Sequence, residues 1–176
     1  MTPVSRRSLA SRLALLVLAS ALAACGQRSE QQAQSTEVAV EVASIGVDPT
    51  GTPVILLADR AGKRSLPIWI GIAEAHSIAA EMEHRRPPRP NTHDLAKRLI
   101  DHLEGALERV VVTELREGTY YAVITLSARG RQIEVDARPS DAIALALRCG
   151  APLFVREALF EESGTEIPRG EDERAL

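Results

Sequence analysis

From Glu37 to Ile45 the chain alternates, with Val38, Val40 and Val42 on one face and Glu37, Ala39 and Glu41 on the other. That two-residue period belongs to a strand buried on one side. Asp48-Pro49-Thr50-Gly51 supplies turn chemistry, and two short apolar runs follow, Val54 to Ala58 and Arg64 to Ile70, parted by Asp59-Arg60-Ala61-Gly62. The first third therefore reads as a β-meander. At Gly71 the period changes. Ile72, Ala75, Ile78, Ala79 and Met82 form one helical stripe, and Pro87, Pro88 and Pro90 forbid its continuation. Thr92 is the expected N-cap of a second helix with the stripe Leu95, Ala96, Leu99 and Leu103. Val110 to Leu115, Tyr120 to Leu126 and Arg131 to Asp136 are expected strands, with Glu117-Gly118 and Arg129-Gly130 as turns. A third helix starts near Ser140, is apolar almost all round through Ile143, Leu145 and Leu147, and stops at Gly150. Phe154 and Val155 suggest a last short strand.

Strands and helices are interspersed without a regular βαβ alternation. The expected class is α+β, a single domain over residues 37–158 whose mixed or mostly antiparallel sheet packs with about three helices. A length of 176 residues with 45% hydrophobic and 26% charged content gives material for one real core. The ends read differently. Arg6, Arg7 and Arg12 precede an apolar stretch, Leu13 to Ala24, that is too short to span a bilayer and reads as an export signal. Residues 25–36 are a polar tether, and residues 159–176, with Glu161, Glu162, Glu166, Glu171, Asp172 and Glu173, read as a frayed acidic tail.

Leu22-Ala23-Ala24-Cys25 resembles the lipobox of bacterial lipoproteins. On that resemblance residues 1–24 are a lipoprotein signal peptide, Cys25 is lipidated, and the domain is exported and membrane-anchored in the cell envelope, facing the periplasm. A plain secretory signal cleaved nearby is the alternative. With Cys25 acylated, Cys149 has no partner for an internal disulfide, and no base at local spacing activates it as a nucleophile.

Three segments carry most of the information: LPIWIG followed by Glu74-Ala75, RPNTHDL from Arg89 to Leu95, and VDARPSDAIALALRCGAP from Val135 to Pro152. Each joins the end of an apolar run to polar residues where a helix begins. In this order and over this distance they resemble the bifunctional nuclease domain family, across roughly residues 37–158. The resemblance implies hydrolysis of both DNA and RNA; it assigns no catalytic residues. Asn91 stands where that family's motif more often has an apolar residue.

Phosphodiester cleavage needs an activated water, a stabiliser for the extra negative charge of the transition state, and commonly divalent cations held by carboxylates. The bend Ala137-Arg138-Pro139-Ser140 should bring Asp136, Arg138 and Asp141 to one edge of the domain. Asp94, Asp136 and Asp141, with Glu74, are the candidate catalytic or metal-holding carboxylates for Mg²⁺ or Mn²⁺, His93 the acid/base group, and Arg138 and Arg89 the phosphate contacts. Each has a structural alternative. Asp136 and Arg138 could pair to lock the bend, Ser140 and Asp141 could cap the third helix, and Thr92 with Asp94 could cap the second. Glu74 could reach back toward the Gly71 backbone as a capping residue.

Net charge −3 and a pI near 5.8 describe a weak, salt-sensitive partner for nucleic acid. The one basic cluster, Arg85, Arg86 and Arg89, sits in the proline-stiffened loop, and at 3% aromatic content no platform for stacking unpaired bases is apparent. The competing reading is a non-catalytic envelope module that binds a partner or forms a homo-oligomer. A site built at an edge would in either case gain from a second subunit.

Overall fold

A computed structural model describes residues 36–166. The expected export signal, Cys25 and most of the tether lie outside the described residues, as does the acidic stretch from residue 167. In chain order the elements are β1 (Glu37–Val47), β2 (Pro53–Asp59), β3 (Arg64–Trp69), α1 (Ile72–Met82) and α2 (Thr92–His102). There follow β4 (Gly105–Arg116), β5 (Thr119–Ala128), β6 (Arg131–Ala137), α3 (Pro139–Cys149), β7 (Leu153–Arg156), α4 (Glu157–Ser163) and the two-residue β8 (Thr165–Glu166).

The strands form one mixed sheet in the order β6-β5-β4-β7-β1-β2-β3-β8. Every pairing is antiparallel except β4 with β7. The domain is thus α+β, built from two meanders, β1-β2-β3 and β4-β5-β6, that meet only through β7. Both turns of the second meander use two residues at positive φ, Glu117 (52°) with Gly118 (74°) and Arg129 (51°) with Gly130 (71°). Those angles match the right-handed twist of the flanking strands, which is why each pair closes a tight hairpin.

Helix α3 is the hub of packing, touching α1, α2, β4 and β5. Its residues Ala142 to Ala146 are all buried, and they join Ile55, Leu57, Leu66, Ile78, Val110, Val112 and Val155 in one aliphatic core. The small alanines at 142, 144 and 146 let neighbouring helices approach closely while Ile143 and Leu145 fill the space between.

Four expectations need correction. The N-cap of α2 is Asn91, not Thr92: its side chain accepts from the Asp94 amide at 2.9 Å while Asp94 Oδ2 accepts from the Asn91 amide at 2.9 Å. Leu95, Leu99 and Leu103 are exposed, so this stripe faces away from the core. Ile72 and Met82 of the α1 stripe are exposed as well. Fourth, the fold continues past residue 158, because α4 buries Leu159 and Phe160 in the main core beneath its acidic outer face.

Ile143 has no exposed surface and lies where helix and sheet meet. Ile143→Ala is expected to cost about 2–5 kcal/mol, seen as a lower urea midpoint with an unchanged slope.

Candidate active site

The first turns of α1, α2 and α3 converge, each contributing one chemically active side chain: Glu74, His93 and Asp141. His93 Nε2 lies 3.1 Å from Asp141 Oδ1. Arg138, the residue before α3, donates from Nε to Asp141 Oδ2 (2.7 Å) and from Nη2 to both Asp141 Oδ1 (3.1 Å) and Glu74 Oε1 (3.0 Å). Its side chain remains 68% exposed, and Nη1 makes no hydrogen bond among the described residues. Two carboxylates therefore fix a guanidinium that still offers donors to solvent. A planar fork held this way suits a phosphate oxygen.

Behind this surface lies a buried relay through Ser77. Its hydroxyl accepts from Arg148 Nη2 (3.0 Å) and from Asn91 Nδ2 (3.1 Å), and it lies 2.8 Å from His93 Nδ1. Asn91 Oδ1 is committed to the Asp94 amide, so the amide nitrogen must be the atom facing Ser77. With both lone pairs of the hydroxyl taken, its proton goes to His93 Nδ1. Nε2 then carries the ring proton and donates to Asp141, which as a carboxylate only accepts. His93 is 8% exposed and both of its ring nitrogens are engaged, one by Ser77 and the other by Asp141.

Arg148 closes the network. Its side chain is 4% exposed and donates to Asp94 Oδ1 (2.6 Å), Ala144 O (2.9 Å) and Ser77 O (3.2 Å), besides the Ser77 hydroxyl. The sequence reading missed this residue. An arginine inside an otherwise apolar helix was the available signal, since such a charge is buried only with partners.

Burial pushes the Asp141 carboxyl up, but hydrogen bonds from Arg138 and His93 outweigh it and hold the group below its ordinary value. Asp94 follows the same balance: burial raises it, and Arg148 with the Asn91 amide brings it down further. Burial raises the Cys149 thiol, which agrees with an inert cysteine.

Asp94, Asp136 and Asp141 do not gather around one point. Asp94 is neutralised by Arg148 behind Ser77, whereas Asp136 is exposed on edge strand β6 and its side chain makes no hydrogen bond or ion pair among the described residues. Among the described residues no three His, Cys, Asp or Glu side chains are placed to hold a metal ion. The expected Mg²⁺ or Mn²⁺ cage does not fit this donor set. Asp136 does not lock the bend either, since Arg138 turns to Asp141 and Glu74. Ser140 and Asp141 are not side-chain caps of α3, whose N-cap Arg138 receives no side-chain bond.

Glu74 folds back over Gly71, where a Cβ would collide with Glu74 Oε2. No side-chain hydrogen bond caps Gly71, so this is close approach and not a capping box. Arg89 is exposed and apart from Arg138's partners. Arg85, Arg86, Lys97, Arg98 and Arg148 line a cavity of about 440 Å³ between the proline loop and α2 together with Glu81, Asp94 and Asp101, and Lys97 and Arg148 are already paired with Asp101 and Asp94.

The family model of the bifunctional nuclease domain matches residues 55–168. An uncharacterized protein of Mycobacterium tuberculosis is 47% identical over 137 residues, covering 77% of this chain and 82% of its own. Bifunctional nuclease 1 of Arabidopsis thaliana is 30% identical over 105 residues, 58% of this chain and 32% of its own length. Bifunctional nuclease 1 of Oryza sativa subsp. indica is 26% identical over 117 residues, 65% of this chain and 35% of its own.

Both Asp94 and Asp141 titrate below their unfolded value of roughly 3.9, so their contribution to stability is complete above that pH and is lost as pH falls through the folded values. The urea midpoint should drop between about pH 5 and pH 2, and Asp141→Asn should flatten part of that slope. Asp48 and Asp59 contribute to the slope too, so the difference between parent and variant is the quantity that decides.

Proposed function

The chain belongs to the bifunctional nuclease domain family, and on that footing we propose that it hydrolyses DNA and RNA phosphodiesters with little sequence preference at the Arg138 edge. The observation that carries this reading is the guanidinium clamped by Asp141 and Glu74 with Nη1 unengaged. It would bind a non-bridging phosphate oxygen and neutralise the charge that grows there in the transition state.

The roles then divide by geometry. Asp141 has both oxygens occupied and a depressed pKa, which makes it a poor base, so its task is to hold Arg138. Glu74 Oε2 makes no hydrogen bond among the described residues, and Glu74 is the general base in this reading. As a water oxygen bonds to phosphorus, Glu74 takes its proton; as the ester bond breaks, that proton passes to the leaving oxygen. His93 and Ser77 are positioning residues. Arg86 and Arg98, which make no ion pair among the described residues, would steer the strand through its phosphates from the cavity beside the proline loop, without reading bases.

A divalent cation enters this proposal only as a counterion brought with the nucleic acid, where it would supply added charge neutralisation. The lipid on Cys25 and the envelope location remain part of the proposal and rest on the Leu22–Cys25 pattern.

The exposed leucines of α2 favour self-association as an accompanying property. In an antiparallel pairing of two copies centred on Leu99, Leu95 of each copy meets Leu103 of the other, so the apolar stripe is self-complementary. Light scattering after size exclusion is expected to show a dimer that Leu99→Glu converts to monomer; a monomeric parent overturns this.

For the nuclease reading, Glu74→Gln is expected to lower kcat on labelled single-stranded DNA and RNA by about 10²–10⁴-fold. Arg138→Lys should lower it by about 10²–10³-fold. Gly71→Ala, which displaces the Glu74 carboxylate, should follow Glu74→Gln with circular dichroism unchanged. Cleavage that survives all three with parental rate sinks this site. Mn²⁺ titrated into the nucleic-acid-free protein should give no saturable heat at micromolar concentration; a tight site there would restore a metal-centred mechanism.

A further inference from the structure

Next to Arg138 lies a cavity of about 430 Å³ whose lining combines Trp69, Tyr120, Ile68, Gly71, Arg138 and Ser140. That volume falls in the range of roughly 300–1,000 Å³ typical of small-molecule sites. Trp69, the only tryptophan of the chain, is 55% exposed at the end of β3, an unusual place to leave the largest apolar side chain. Its ring is nonetheless fixed, because Nε1 donates to Asp48 Oδ2 at 3.0 Å. Asp48 is itself held by the Thr50 hydroxyl (2.6 Å) and the Thr52 amide (2.9 Å). The indole edge is thus satisfied, and the exposed part of the ring offers an apolar surface.

The polar side of the cavity is incomplete. Ser140 is only 6% exposed, yet its hydroxyl makes no hydrogen bond among the described residues. It is the second residue of α3, where a helix start also leaves an amide without an intrahelical partner. The hydroxyl is open to the cavity, since Arg109 Nε alone among the described residues is a buried side-chain polar atom without a partner, and it stands on the wall as a donor and acceptor for a ligand group. A flat aromatic molecule with hydrogen-bonding edges, linked to a phosphate within reach of Arg138, satisfies each of these features.

We propose that this cavity takes one unpaired nucleobase, packed against Trp69 and Tyr120 with an edge on the Ser140 hydroxyl, while the attached phosphate lies on Arg138. This deepens the nuclease reading and rests on it. A base inside a duplex cannot enter such a cavity, so the site selects single-stranded DNA or RNA. Because aromatic stacking is available to every base, it does so without strong preference among sequences.

Trp69 reports directly, with no need for turnover. Its emission in the Glu74→Gln protein should quench saturably with single-stranded oligothymidylate. Blunt duplex, an abasic strand of equal length and inorganic phosphate should leave it unchanged. Tyr120→Leu should weaken the single-strand titration by about five- to hundredfold, and Ser140→Ala by a smaller factor, with circular dichroism as the check on folding. Equal quenching by the abasic strand or phosphate would show an anion site only, and equal quenching by duplex would remove the selectivity; either overturns the proposal. Emission that shifts with protein concentration alone would assign the cavity to a second copy and overturn it too. Absent quenching with normal cleavage by the parent protein defeats the base pocket and leaves the hydrolase reading standing. Normal quenching with cleavage undiminished in Glu74→Gln leaves the base pocket standing and removes Glu74 from the hydrolytic step.

Discussion

One buried cation sets the geometry on which the rest depends. Arg148 is enclosed among α1, α2 and α3 and donates to a residue of each: Ser77, Asp94 and Ala144. Taking a guanidinium out of water is costly unless every donor direction is answered, so the three helices can pack only in the arrangement that answers it. The Ser77 hydroxyl, once engaged by Arg148, has its own proton free for His93, and His93 in turn aligns Asp141. A charge that never meets solvent thereby determines where an exposed guanidinium, Arg138, is presented.

The electrostatics of the whole chain and of the site point in different directions, and the difference is local. Net charge is −3, yet the edge formed by the three helix starts carries an arginine whose two carboxylate partners leave part of it unengaged. Helix N-termini add partial positive charge at the same place. A net negative chain disfavours prolonged binding of a polyanion while the point itself still attracts a single phosphate.

Much of the fold was legible because periodicity reports burial. Nearly all strands and the three longer helices fall where alternation or helical spacing places them. Periodicity does not report what covers an apolar face, and so Leu95, Leu99 and Leu103 were assigned to a core they do not join. Helix α4 escaped notice because Leu159 and Phe160 are set among glutamates, where composition outweighs two buried residues. The cap of α2 was misplaced by one position, since Asn91 and Thr92 are both good caps; the choice falls to Asn91 because its amide also reaches Ser77. Among site residues, Glu74, His93, Arg138 and Asp141 were named and do converge, whereas Asp136 was grouped with them on sequence proximity alone. Its strand carries it to the exposed sheet edge. The partners of Arg148 and the aromatic cavity beside Arg138 depend on contacts between distant segments, which no local pattern encodes.

The single parallel pairing in the sheet bears on how the chain matures. The two meanders form from neighbouring segments and can close early, but each shows an unpaired inner edge until β7 slots between β1 and β4. Since β7 comes after every strand of both meanders, completion of the sheet waits until the chain is available as far as Arg156. During synthesis the protein would therefore pass through a stage with two open β edges. In that interval strand exchange with another copy, or capture by a chaperone, competes with the chain's own closure.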